Sequence, residues 1–319
     1  MFDSPLSASA YEVLEVDPGI DDDALRRAYR LRLRLTHPDT GGDAAVFIQV
    51  QRAWELIGTP QLRAAYDRGH GFADDDTVWD GWRAPAARTD TRPRAASYGE
   101  PGGWRRRRYL ALVQEHAGGD AVADPYSPAF VRSVPRGVRR FLADALAEED
   151  TARTVADLGM GFTAWHDVLA PFGGPAGGPS APAPAESDED DRLDHIVLGP
   201  TGLYGMTSGD FGGVVGFRGG EIVGPGVGPH APVTALLTRI RAVSRSARVR
   251  FGGAVVVLPD DDLAQAVSPL GAIRGVPVVV VRRSALRTVL RSGVPGARVI
   301  GGNELFDVRT RLRQTVRFA

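Results

Sequence analysis

Two places in the sequence hold residues whose types and spacing could do chemistry. In the first, Arg26, Arg27, Arg30 and Arg34 lead into His37-Pro38-Asp39. On a helix these four arginines share one face, a cationic stripe able to steer an acidic partner. The proline fixes a turn that presents two polar side chains, an imidazole and a carboxylate. In the second, Asp194 and Asp210 lie beside short apolar runs, each a single carboxylate at a strand pattern. Two absences narrow the chemistry. The chain has no cysteine, and all 38 of its basic residues are arginine. Thiolate nucleophiles, zinc ribbons, Schiff-base lysines and the lysine of a phosphate-binding loop are therefore excluded. The arginine bias itself is what a GC-rich genome produces and carries no functional meaning.

The elements that must position the first group are helical. Asp21-Asp22-Asp23 precede a helical pattern over 24–35, as acidic residues at a helix start should. At 100° per residue, Leu25, Ala28, Tyr29, Leu31, Leu33 and Leu35 gather on one broad apolar face, with the four arginines opposite. Arg32 falls inside the apolar sector as the one misfit, where its stem can lie along the core. Pro38 ends the helix and Gly41-Gly42 continue the turn. A second helix is predicted from Asp43 to Ile57, with Val46, Phe47, Val50, Ala53, Trp54 and Ile57 at core spacing, stopped by Gly58 and Pro60. The pair forms an antiparallel hairpin braced by segments 8–15 and 61–68.

Tyr11-Glu12-Val13-Leu14, Ala28-Tyr29-Arg30, His37-Pro38-Asp39 and Arg63-Ala64-Ala65-Tyr66-Asp67 follow one another in that order. Together they make residues 8–70 resemble the J domain of Hsp70 co-chaperones. The resemblance implies an all-α hairpin whose basic face docks on a DnaK-type Hsp70 in its ATP state. Arg26, Arg27, Arg30 and Arg34 are then contact residues, and His37, Pro38 and Asp39 trigger ATP hydrolysis. Zinc-bearing family members are excluded by the missing cysteines, and no long Gly/Phe-rich segment follows residue 70. The implied arrangement is a J domain attached to an unrelated partner domain.

Composition divides the remainder. Residues 71–103 read as a linker, and 104–319 as a C-terminal α/β domain with its core over about 135–300. A Gly/Pro/Ala stretch running into Glu186–Asp191 predicts a flexible insert over 171–191. Helices are expected over 137–158, 233–246, 284–290 and 303–313. Strands are expected over 162–168, 194–198 and 203–206, with Val214–Phe217 extending that meander. The apolar runs 253–258 and 276–281 read as buried parallel strands.

This order, with Gly161–Val168, Leu193–Pro200 and Gly212-Gly213, is similar to the nuclease-related domain. That resemblance implies a restriction-endonuclease-like fold, with an acidic residue on the second strand and a carboxylate-x-lysine pair on the third. Asp194 matches the first carboxylate. Thr207 stands where the second belongs and Gly209 where the lysine belongs, so the implied domain is catalytically dead. Asp210, one register away, is a single helper acid, and Asp194 reads as a strand-start or turn-capping residue.

Residues 237–319 hold fifteen arginines against five acidic residues, a balance that attracts phosphate. The plainer reading is arginine on every solvated helix face, notably at Arg239, Arg241, Arg245, Arg248, Arg250, Arg282, Arg283, Arg287 and Arg291. Trp104-Arg105-Arg106-Arg107-Arg108-Tyr109 suits either a single-strand binding surface or a helix start. His70, His116, His166 and His230 lack ligand spacing, so no metal site is expected, and His195 reads as a strand residue. No apolar run reaches the ~20 residues of a membrane span, and no signal peptide is evident. The expectation is a cytoplasmic, multidomain, non-enzymatic co-chaperone without cofactor, acting on Hsp70, whose C-terminal domain is an inactive module for a client or target. The alternative is an adaptor that binds DNA or RNA and brings Hsp70 to it.

Overall fold

The computed structural model describes residues 4–70, 93–119, 122–170 and 192–318. The chain divides into two compact units, one comprising Met1–Ala86 and Val113–Arg139, the other Ala87–Leu112 and Arg140–Ala319.

The first unit opens with α1 (Ala10–Leu14), whose start is closed by a reciprocal capping box. The Ser9 hydroxyl accepts from the Glu12 amide and the Glu12 carboxylate accepts from the Ser9 amide. α2 (Asp22–Thr36) starts where the Asp21 carboxylate accepts the Ala24 amide at 2.8 Å. After a 3-10 turn over Pro38–Thr40 come α3 (Ala44–Ile57) and α4 (Pro60–His70). Leu14, Leu25, Val50, Ala53, Ile57 and Tyr66 form the core. Tyr29 of α2 stacks on Trp54 of α3 with ring centroids 4.3 Å apart.

The apolar face of α2 differs from expectation. Leu31 and Leu35 are 59% and 62% exposed. The inward stripe runs Leu25, Ala28, Tyr29, Arg32, Leu33, Thr36, an i, i+3, i+4, i+7, i+8, i+11 series. Arg32 lies on that face, as its position required, and its Nη1 meets Glu15 at 2.9 Å. A broad sector drawn around every leucine had taken in two that point outward.

The chain continues through β1 (Ala96–Tyr98), α5 (Gly103–His116), α6 (Pro128–Ser133) and α7 (Arg136–Ala156). In the first unit, Arg139 donates to the Pro5 carbonyl at 3.5 Å, and Arg132 lies 4.0 Å from Glu12. The second unit adds β2 (Thr163–Leu169), β3 (Arg192–Gly199), β4 (Gly202–Ser208), β5 (Gly216–Arg218) and β6 (Glu221–Val223). Then follow α8 (Pro232–Ala247), β7 (Gly253–Leu258), β8 (Val267–Ile273), β9 (Val276–Arg282), α9 (Leu286–Ser292) and α10 (Gly302–Thr315).

Seven strands form one mixed sheet in the order β1-β2-β3-β4-β7-β9-β8. β4, β7 and β9 run parallel, while β2-β3, β3-β4 and β8-β9 are antiparallel. Alternate residues of the apolar strands point to opposite faces, so a continuous run serves two cores. Ala254, Val256 and Leu258 pack with Leu236, Leu237 and Ile240 of α8 and Leu312 of α10. Val255 and Val257 pack with Leu286, Val289 and Leu290 of α9 and Val155 of α7. Gly205 is required where α8 crosses the sheet, since a Cβ there would stand 2.4 Å from Ile240.

Several boundaries differ from those read in the sequence. Of the expected linker 71–103, residues 71–92 lie outside the described residues, and Ala96–Tyr98 is a strand paired in parallel with β2. The C-terminal unit thus starts before residue 104, while Val113–Arg139 groups with the first unit. Its core passes residue 300, because α10 contributes Val308 and Leu312. Val214–Phe217 does not extend the meander; β5 pairs with β6 in a separate two-stranded sheet. The expected insert 171–191 lies outside the described residues.

Candidate functional site

Arg26, Arg27, Arg30 and Arg34 all lie exposed on the outer side of α2. Arg26 pairs with Asp23 at 3.2 Å, and the Arg30 Nε donates to the Arg26 carbonyl. The helix ends at His37, whose backbone is extended ahead of Pro38. The His37 Nδ1 accepts the Asp39 amide at 3.2 Å, and its ring stands edge-on to Phe47 at 5.0 Å. The turn closes with the Gly42 amide on the His37 carbonyl at 3.0 Å. Glycine is needed there: a Cβ on Gly42 would lie 2.2 Å from the Thr36 carbonyl carbon. The Asp39 side chain is 89% exposed and that of His37 42%, so the trigger residues expected from sequence stand outward at the end of the arginine stripe.

A knot of hydrogen bonds behind this face explains the flanking motifs. The Tyr11 hydroxyl donates to Asp67 at 2.6 Å and accepts from the Arg63 Nε at 3.0 Å. Arg63 also reaches Asp22 at 3.1 Å and the Pro18 carbonyl at 2.6 Å. Tyr66 accepts the Ala10 amide at 2.9 Å. Burial, reinforced by Asp67, pushes the Tyr11 hydroxyl up to about 12. One arginine thus ties α1, the start of α2 and α4 together.

The second unit buries a polar cluster whose members are far apart in sequence. Arg105 of α5 pairs with Glu148 and lies 3.5 Å from both Asp144 of α7 and Asp194 of β3. Arg140 approaches Asp144 at 3.5 Å from one turn away, and Arg106 pairs with Glu149. Asp194 accepts the Thr207 hydroxyl at 2.6 Å and the Ser208 amide at 2.9 Å. Burial, then the neighbouring Asp194, pushes the Glu148 carboxyl well above its usual range despite Arg105. Asp194 and Thr207 are in direct contact, and a Cβ on Gly209 would lie 3.8 Å from Asp144. Asp194 is not a strand-start or turn-capping residue: it is buried inside β3, because an ion-paired network accommodates it. Among the described residues no group of three or more His, Asp or Glu could hold a metal ion.

Next to this cluster a chain of hydrogen bonds crosses the sheet. Ser97 Oγ, His166 and His195 are linked at 2.9 and 2.8 Å. His195 continues to Ser208 at 3.1 Å, and Ser208 to Thr151 at 2.8 Å. Burial pushes both imidazoles down, His166 well below its ordinary value and His195 to about 3. Asp167, at φ 52°, leaves the β2 ladder for one residue and takes Arg192 at 2.8 Å. Arg192 in turn lies 4.3 Å over the Trp104 ring.

Sequence reasoning missed Arg105, Asp144, Glu148 and the His166–His195 pair. The register His166↔His195 follows from the strand pairing, whereas nothing local to residue 105 marks its partners. Of the two readings of Trp104–Tyr109, the structure shows the helix start, since α5 begins at Gly103. Those residues lie in α5 with Arg105, Arg106 and Tyr109 buried, because their partners come from the same unit's interior. The solvated-face reading of the C-terminal arginines holds for the exposed Arg245, Arg248, Arg250, Arg287 and Arg291 and is corrected for others. Arg239 is buried, Arg282 donates to the Leu263 and Ala264 carbonyls, and Arg283 pairs with Asp150, while the exposed Arg287 pairs with Asp157. Among the described residues no helix is long and apolar enough to cross a membrane.

Comparison with known proteins decides the first unit: the DnaJ domain family model matches residues 9–67. Residues 9–67 are a J domain. Chaperone protein DnaJ of Hyphomonas neptunium is 48% identical over 66 residues, covering 19% of this chain and 17% of that protein. Its counterpart in Tetragenococcus halophilus is 43% identical over 68 residues, covering 20% and 18%. A curved DNA-binding protein of Pseudomonas syringae pv. tomato is 38% identical over 60 residues, covering 18% and 19%. The matched stretch spans under a fifth of the length of these relatives. No solved structure matches the chain. The J domain accounts for the knot around Tyr11 and Arg63 and for the outward turn at Pro38; the mixed α/β unit stands outside the match.

Proposed function

We propose that this protein is a cytoplasmic Hsp70 co-chaperone, whose J domain docks on a DnaK-type partner and stimulates its ATP hydrolysis. The observation that carries this reading is the exposed His37-Pro38-Asp39 turn at the end of an exposed arginine face within a matched J domain. Arg26, Arg27, Arg30 and Arg34 supply steering and contact charge, and the turn supplies the trigger. The test is steady-state ATPase of a DnaK-type Hsp70 with and without the full chain. Stimulation abolished by His37→Gln is expected; no stimulation, or stimulation indifferent to that change, rejects the reading.

The second unit serves in this proposal as a non-enzymatic targeting module, a degenerate relative of restriction-endonuclease-like, nuclease-related domains. Its support is the cluster around Asp194: the guanidinium of Arg105 fills the space among Asp144, Glu148 and Asp194, and no lysine exists to assist a water. Metal-dependent DNA cleavage by the purified protein, lost on Asp194→Ala, would refute it.

A second reading, a nucleic-acid adaptor, has one observation in its favour. A cavity of about 240 Å³ is lined by Arg248, Arg250, Arg298 and Arg311. Glu304 and Asp307 share the lining and Arg298 pairs with Glu304 at 2.8 Å, which weighs against phosphate. Salt-dependent binding of labelled oligonucleotides at ~50 mM salt separates the two readings.

A further inference from the structure

Leu31 and Leu35 stand 59% and 62% exposed on α2. They lie one turn apart, with Arg27 one turn before Leu31 and Arg34 three residues after it. Residues three and four apart on a helix are surface neighbours at about 5–6 Å between Cβ atoms. Arg27, Leu31, Arg34 and Leu35 therefore form one continuous patch, which ends two residues before His37. A surface that engages both Arg27 and Arg34 must cover Leu31, which lies between them, and by the same geometry reaches Leu35.

We infer that the Hsp70-docking face of this J domain is a mixed arginine–leucine ridge, and that Leu31 and Leu35 seat in an apolar recess flanked by acidic residues on the Hsp70. The inference rests on the co-chaperone reading for its partner and goes beyond it in the kind of contact made. The two residue types divide the work physically. Arginine attraction acts at a distance and weakens as salt rises, whereas burial of leucine is nearly indifferent to salt. The leucines thus hold the docked complex under ionic conditions in which the arginines alone are screened.

The experiment titrates the full chain into a DnaK-type Hsp70 with ATP and reads stimulated ATPase at ~50 and ~300 mM KCl. It compares wild type, Leu31→Ser/Leu35→Ser, and the conservative Leu31→Met/Leu35→Met. Both positions are exposed, and circular dichroism of the serine variant checks its fold alongside. The expected result is a half-saturating concentration raised about tenfold in the serine variant, equivalent to about 1.4 kcal/mol. Maximal stimulation is unchanged, the loss is similar at both salt concentrations, and methionine restores docking. If wild type and serine variant both stimulate with half-saturation within twofold, the inference fails while the co-chaperone reading stands. If wild type itself gives no stimulation, that reading falls and the inference with it. A wild-type dimer in sedimentation that the serine variant makes monomeric, with stimulation unaltered, assigns the ridge to a second copy and also overturns it.

Discussion

His166 and His195 face one another across β2 and β3 with their Nδ1 atoms 2.8 Å apart. One ring must donate and the other accept, so both are neutral and their tautomers are locked together by Ser97 and Ser208. The pair is a hydrogen-bonded connection between strands, and a proton added to the accepting Nδ1 would break it by setting two N–H groups against each other.

Acid sensitivity follows with a definite sign. An unfolded histidine titrates near 6.5, and burial holds His195 at about 3 in the folded state. Between those values the unfolded chain binds more protons, so this contribution is complete above pH ~6.5 and is lost as pH falls toward 3. Thermal unfolding should show His195→Gln less stable than wild type by about 1–3 kcal/mol at pH 7.5, with the gap narrowing toward pH 4.5. A gap independent of pH would show that the pair carries no proton linkage.

Arg105 is the counter-ion of a buried acidic cluster, and its removal strands Asp144, Glu148 and Asp194 without it. Arg105→Met is expected to destabilise the second unit by about 3–5 kcal/mol. Adding Glu148→Gln should recover part of that loss, because it removes a carboxyl whose ionised form burial and Asp194 already disfavour and Arg105 no longer offsets. Urea denaturation of the single and double variants measures both; strictly additive losses would mean that the two side chains do not act as a pair.

In the first unit Arg63 joins Tyr11, Asp22 and Pro18. Arg63→Ala should cost about 2–3 kcal/mol and Tyr11→Phe about 1–2 kcal/mol. Hydrogen exchange read by mass spectrometry should place the lost protection in α1 and α4. Protection unchanged in those helices would argue that packing alone holds them.

Gly42 sits where a side chain would meet the Thr36 backbone at 2.2 Å. Gly42→Ala must therefore shift the turn that presents His37 and Asp39. Under the co-chaperone reading it should lower maximal ATPase stimulation at least severalfold while the helical circular dichroism stays near wild type. Retained stimulation would show that the turn tolerates the displacement.

Much of the J domain was legible in the sequence because its signals are local. Apolar spacing, the acidic start of α2, the proline at 38 and the glycines after it act over one or two turns of chain. The exception is instructive: assigning Leu31 and Leu35 to the core followed residue type, while Arg32 and Thr36 took the inward positions because helical phase decides orientation. In the second unit the apolar strands were equally readable, since a run buried on both faces needs no partner to be recognised. The short strand β1 and the half-exposed β8 were not, because their pairing rather than their composition makes them strands.

By itself, the sequence determined a helical hairpin with a presented His37-Pro38-Asp39 turn, a chain without thiol or lysine chemistry, and an α/β second unit. Tertiary structure alone decided what becomes of the charges. Arg105 meets Glu148 across 43 residues of chain, and His166 meets His195 across 29. Buried charge and buried imidazole are stable only where distant partners converge, and no local pattern encodes that convergence. The same lysine-free composition therefore leaves Arg26, Arg27, Arg30 and Arg34 of α2 exposed, and turns others inward to neutralise buried acids.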